Sequence, residues 1–263
     1  MVNNMQKALI KKELNSVIKT KSFFTDYLLV PLIFAVIFPV GGVLMITLMD
    51  SSAAEFEQLM NTMMITLPTG GEDFAIISIL INNIFPIFFL MIPPLIVTAM
   101  AAASFTGEKE RRTLETLLYS PMSLREIFNA KVIAILLVGS LVTIISFLTM
   151  TVLVGVLVWF LLGELFIPGL IWLAVILLVS PAFAFLGIIV QVRISAKAQR
   201  SEEAYQKGGM LVLPLVLLIV GQFTGVLLMS TWMFVGLGVV LGIAGWILMR
   251  VAFRSFTYEE LLR

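Results

Sequence analysis

Six stretches of this chain are long apolar runs almost free of charge, near residues 28–49, 76–103, 132–161, 167–190, 209–228 and 232–250. About 20 such residues cross the hydrocarbon core of a bilayer as a helix, so each stretch predicts one membrane-spanning helix. The last two form one run of roughly forty residues, about twice a single crossing. Met229-Ser230-Thr231 is its most polar point and predicts the turn. The first run, from Tyr27 to Met49, follows a lysine-bearing segment. It is too long for the apolar part of a signal peptide and is not followed by a small-x-small cleavage site, so it reads as an uncleaved span. The pattern predicts an all-α membrane protein, one transmembrane domain over 1–263.

Composition agrees with lipid as the solvent. Of 263 residues, 60% are hydrophobic and 13% charged, and mean hydropathy is +1.09, whereas soluble domains are about 25% charged. Cys and His are both absent, which excludes disulfides, thiolate nucleophiles, imidazole chemistry and His-based metal sites. We therefore expect no catalytic residue, no metal ligand and no cofactor in this chain. The net charge of +1 says little, but its distribution says much. All 17 Lys and Arg lie in the first segment, the loops after spans 2 and 4, or the tail from Arg250. Asp50, Glu55, Glu57, Glu72, Asp73 and Glu164 lie on the opposite side with no basic residue among them. Positive loops stay on the cytoplasmic side. The prediction is a multi-pass protein of the plasma (cytoplasmic) membrane with both termini inside, and an odd number of spans would break the partition.

Three connecting pieces carry patterns of their own. Residues 5–24 place Leu9, Ile10, Leu14, Val17 and Ile18 at helical spacing among Lys7, Lys11, Lys12 and Lys19, which predicts an amphipathic interfacial helix. It reads equally as an anchor or as a lever against a cytoplasmic partner. The outer loop 50–75 repeats the spacing from Phe56 to Leu67 before Pro68 and Gly70-Gly71, a short helix on the outer membrane surface. The loop 104–131 is the most informative. Gly107 to Tyr119 is helix-forming, with Glu108 spaced to pair with Arg111 or Arg112, and Leu114, Leu117 and Leu118 form an apolar edge. Ser120 before Pro121 stops that helix. Ser123-Leu-Arg-Glu126 is a capping box opening the next one. A charged helix just under the membrane reads either as a docking surface or as a solvated connector.

The run Gly107-Glu108-Lys109-Glu110-Arg111-Arg112-Thr113-Leu114-Glu115-Thr116-Leu117-Leu118, followed by Ser120-Pro121, Ser123, Glu126-Ile127 and Lys131, resembles the signature of type-2 ATP-binding-cassette (ABC) exporter permeases. The six-span layout behind an amphipathic helix is similar to that family along the whole chain. Arg112 departs from the pattern, which usually has glycine there. The resemblance implies a permease half that pairs with a second half, as homodimer or heterodimer, driven by cytoplasmic ABC ATPase subunits that bind ATP and Mg. It implies that the cytoplasmic helix after span 2 is a coupling helix, within the loop 104–123. That role falls on Gly107, Glu108, Glu110, Arg111, Thr113, Leu114, Glu115, Leu117 and Leu118. The family's translocation path usually lies between the halves, lined by spans 2 and 5. The chain lacks the G-x-x-x-x-G-K-[ST] phosphate loop, so an ATPase would be a separate polypeptide. Lipid and these subunits are the expected partners, with no nucleic acid.

Polar groups within the spans are the candidates for that path. Asn82 and Asn83 sit early in span 2, near the outer interface, where hydration accounts for them; Gln222 and Thr224 lie in span 5. For Gln222, bonding between helices competes with a substrate role. Pro86, Pro93 and Pro94 should kink span 2. Gly221-x-x-x-Gly225 and Gly238-x-x-x-Gly242 permit close helix packing, between spans 5 and 6 or at a dimer seam. Glu164 reads as an interface residue at the outer end of span 3. No span is expected to bury an ionisable residue, which argues against an ion-coupled carrier or an aspartyl intramembrane protease. Two functions stay open: the permease of an ABC exporter, or a non-transporting scaffold or regulator that tethers a cytoplasmic partner through 104–123.

Overall fold

A computed structural model describes residues 4–18, 24–48, 71–110, 122–223 and 230–255. Most of the loop 50–75, residues 111–121 of the loop 104–131, Thr224, Gly225 and the last residues lie outside them. Among the described residues all regular structure is helical. Six helices are long and apolar enough to cross a membrane: Tyr27–Leu48, Asp73–Glu110, Arg125–Leu162, Leu170–Lys197, Ser201–Gln222 and Thr231–Val251, numbered spans 1 to 6 below. Ser230 lies outside the helix and its carbonyl accepts from the N–H groups of Met233 and Phe234, as the polar turn before span 6 predicts. The ends of spans 2 and 4 and the start of span 3 run beyond their apolar stretches. An apolar window marks the part of a helix that lipid surrounds; capping and packing decide where the helix stops. The end of the bundle that carries Lys109, Arg125, Arg193 and Lys207 is called the basic end.

Spans 2, 3 and 4 pack mutually and form the centre; span 1 lies on span 3, span 6 on span 4, and span 5 on span 2. Close approach at the centre depends on small residues. Val97 of span 2 fits between two glycines, because a Cβ on Gly139 would stand 2.9 Å from its Cγ1 and one on Gly187 3.0 Å from its Cγ2. A Cβ on Gly238 of span 6 would meet Leu178 of span 4 at 2.8 Å. The Gly238/Gly242 spacing is therefore a seam between spans 6 and 4, not between 6 and 5. At the end opposite the basic one, Trp172 is fully buried, with Phe89 and Phe147 at ring distances of 5.3 and 5.2 Å. The faces turned away from this core are apolar and exposed, as at Leu177, Leu217 and Phe160, which suits contact with lipid.

Prolines shape spans 2 and 4. Pro86 and Pro181 have no N–H to give to a carbonyl four residues back. In both cases the preceding residue reaches one further, Phe85 N–H to Leu80 O and Ser180 N–H to Val175 O, closing π-turns over Leu80–Ile84 and Val175–Val179. Span 2 breaks again at Leu90-Met91 and restarts at Ile92 with Pro93 and Pro94 in its first turn, so the expected interruption is present. Span 3 ends on Gly163, whose φ of 70° is a left-handed cap open to glycine. Glu164 follows it and is exposed.

Candidate functional site: the junction at the basic end

The capping box expected at Ser123 forms. The Ser123 hydroxyl accepts from Glu126 N–H at 3.3 Å, and the Glu126 carboxylate accepts from Ser123 N–H at 2.9 Å. The helix therefore begins at Leu124, and Lys131 falls on its second turn, not in a loop. Lys131 is 2% exposed. Its Nζ lies 2.7 Å from Glu108 Oε2 and donates to Ser104 O at 2.8 Å and Ser104 Oγ at 3.1 Å. Glu13 Oε1 stands 3.9 Å away and the Phe105 ring 5.4 Å away. A buried ammonium is costly unless paired and hydrogen-bonded, and here Ser104 supplies two acceptors and Glu108 the counter-charge. The expectation that no span buries an ionisable residue is thus corrected. Lys131 lies at the basic end of span 3, where its neighbours supply the missing solvation.

This one amine joins three elements. Glu108 and Ser104 belong to the end of span 2, Lys131 to span 3, and Glu13 to the N-terminal helix Asn4–Ile18. That helix buries Leu9 against Ile127 and Ala130 of span 3 and leaves Lys7, Lys11 and Lys12 exposed. Its described part ends at Ile18; residues 19–23 of the expected 5–24 lie outside the described residues, and Phe24–Leu29 is a π-turn leading into span 1. Its apolar stripe faces protein as well as any lipid. Glu108 pairs with Lys131; Arg111 and Arg112, its expected partners, lie outside the described residues.

A second link leaves span 2 two residues later. Glu110 Oε2 accepts from the Ser201 hydroxyl at 2.8 Å and from Ser201 N–H at 3.2 Å. Ser201 opens the helix Ser201–Gly208 at the foot of span 5, where a carboxylate both satisfies a free N–H and meets the positive end of the helix dipole. That short helix is tied to span 4 by Gln191, fully buried, whose Nε2 donates to Ala204 O at 2.7 Å. Gly208 gives it room, because a Cβ there would collide with Gln191 Oε1. Within four residues, Gly107–Glu110, the end of span 2 is thus connected to spans 3 and 5, to the N-terminal helix, and through Ser201 and Gln191 to span 4.

The path candidates lie elsewhere, and three of them bond to other parts of the chain. Asn82, read as hydrated, is part-buried: its Oδ1 accepts from Gly169 N–H at 2.8 Å and caps the entry to span 4. Asn83 Nδ2 donates to Ile79 O at 3.2 Å, and its own carbonyl accepts from Gln222 Nε2, joining span 5 to span 2. Pro86 is buried beside them. Asn82, Asn83, Pro86 and Gln222 are thus together, while Thr224 lies outside the described residues. Of the coupling set, Gly107, Glu108 and Glu110 are described; Arg111, Thr113, Leu114, Glu115, Leu117 and Leu118 are not. Ser104, Gln191, Ser201 and Gly208 were not singled out in the sequence. A helix counted forward from the capping box would have put Lys131 on the Ile127 face, but no pattern in 191–208 signals that Gln191 and Gly208 meet.

A model of the ABC-2 family transporter proteins matches residues 7–243. No curated protein and no solved structure matches the chain. The matched range takes in the N-terminal helix, the junction at Lys131, all five connections between spans and most of span 6. This multi-pass membrane protein, a transporter permease by that match, belongs to the ABC-2 transporter family.

Proposed function

We propose that the chain is the permease subunit of an ATP-driven exporter, paired with a second permease half and powered by a separate cytoplasmic ATPase that holds ATP and Mg. The basic end faces the cytoplasm, as the one-sided placement of Lys and Arg requires. The ATPase docks on the loop that begins at Gly107, through Glu115, Arg111 and the leucine edge of 114–118. Glu108 and Glu110, at the root of that loop, pass its displacement into the membrane. Alternating access follows when span 2 and span 5 shift together around the central path, with Asn83 and Gln222 at the outer end of their contact.

The observation that carries this reading is the Lys131 junction. A buried ammonium held by Glu108 at 2.7 Å, with Glu13 at 3.9 Å, cannot let the start of the loop move alone, because separation would strand charge in a low-dielectric site. A solvated connector or a passive tether needs no such joint. The docking surface is tested by reversing Arg111 and Glu115, which lie beyond the joint. Arg111→Glu with Glu115→Lys should leave the spans inserted and lower ATPase affinity at least about tenfold, the equivalent of about 1.4 kcal/mol. Undiminished binding by the doubly reversed chain would remove the loop from the interface.

A further inference from the structure

We propose that a pocket at mid-depth in the bundle binds a hydroxyl-bearing ligand, either water or the alcohol head of a molecule dissolved in the bilayer. The pocket lies where spans 2, 3 and 4 meet, bounded by Pro93, Thr143, Ile176 and Ser180, with Ile144 and Leu177 at its rim. Pro93, Thr143 and Ile144 fall at the middle of spans 2 and 3, and Ile176 to Ser180 in the first half of span 4. The cavity measures about 110 Å³, and a single water needs roughly 10–15 Å³.

Its polar groups are left over from the helices. Ser180 is 3% exposed and its hydroxyl has no hydrogen-bond partner among the described residues. The Ile176 carbonyl has lost its α-helical donor: Ser180 N–H goes to Val175 O, and Pro181, next along the chain, has no N–H to replace it. The buried Thr143 hydroxyl donates to Gly139 O at 2.8 Å, which leaves its oxygen free to accept. Backbone freed by proline inside a membrane persists where water or a polar group re-satisfies it. A ligand hydroxyl does both jobs, accepting from Ser180 and donating to the Ile176 carbonyl or to Thr143. No charged side chain lines the pocket, so the ligand is neutral. Ile144 and Leu177, 41% and 70% exposed, put the rim on the outer face of the bundle, within reach of the bilayer. Pro93, in the first turn after the break in span 2, forms the opposite wall. This site does not depend on how the chain is powered.

The chain contains no cysteine, so a single introduced thiol reports on the pocket in the full-length protein in membrane vesicles. Methanethiosulfonate reagents attack the thiolate, which needs water. If water is the ligand, Ser180→Cys should react with 2-aminoethyl methanethiosulfonate about tenfold faster than the rim variant Leu177→Cys. Thr143→Cys, on the facing wall, should share the enhancement and guards against a local distortion at 180. If the ligand comes from the bilayer, both pocket cysteines stay slow. A photoreactive alkanol then labels the native chain at 139–144 or 176–184, and excess n-octanol removes the label. Cysteines at 180 and 143 that react no faster than the one at 177, together with no octanol-sensitive labelling of those segments, would overturn the proposal.

Discussion

At the scale of single residues, Lys131 is where electrostatics and function meet. Removing one partner of a buried pair leaves an uncompensated charge and costs about 3–5 kcal/mol. Removing the ammonium itself leaves Glu108 facing a buried hole, close to Glu13. We therefore expect Lys131→Met to lower unfolding stability in detergent by about 3 kcal/mol or more. Lys131→Arg should lose less, since it keeps the charge but presents a planar fork where Ser104 and Glu108 suit a compact amine. Equal losses in the two variants would mean that packing, not charge, holds the site. Gln222 makes the contrasting case. Hydrogen bonds between membrane helices average about 0.6 kcal/mol, so Gln222→Leu should cost less than about 1 kcal/mol in the same assay. A large fall in transport at unchanged stability would then place Gln222 in the path. In the sequence, Gln222 was legible as a choice between two roles, and its donation to Asn83 O supplies the helix-to-helix one. Lys131 was visible as a loop cation and as a position of the family motif; its burial was not, because an apolar window discards the turns on which a helix leaves the lipid.

At the scale of elements, prolines and glycines determine how the central helices fit. Pro86, Pro93 and Pro94 were readable as interruptions of span 2, and the capping box as the start of span 3, since both are local rules of backbone geometry. What the glycines touch was not readable. Spacing announces a small-residue face without naming its partner, and Gly238 turned out to accommodate span 4. Val97 between Gly139 and Gly187 is a close meeting of spans 2, 3 and 4 near the pocket. A leucine at 139 would drive Val97 out of its place, and overpacking of this kind costs about 1–3 kcal/mol. Gly139→Leu should accordingly lower the melting temperature, and a compensating Val97→Ala should recover part of the loss. Without recovery, the two residues are not in the contact described.

At the scale of the whole molecule, the number of spans and their order along the chain followed from hydropathy, because lipid demands about 20 apolar residues per crossing. The arrangement of those spans did not, since every span looks apolar on all sides in sequence. Burial separates them: spans 2, 3 and 4 form the centre, while spans 5 and 6 are largely exposed. Orientation is a prediction of charge. With single cysteines in the cysteine-free background, Lys7→Cys and Lys207→Cys should be modified by an impermeant reagent only from the cytoplasmic side, and Glu164→Cys only from outside. Labelling of Lys7→Cys from outside would reverse the assignment of the basic end.

The central claim is that the basic end is where an ATPase drives this permease. Its most direct test is to purify the chain from its native membrane in mild detergent and assay the preparation for ATP hydrolysis. The account predicts a co-purifying ATPase that is lost when residues 111–119 are scrambled and the spans remain folded. A folded chain that comes out alone and free of ATPase activity would contradict it.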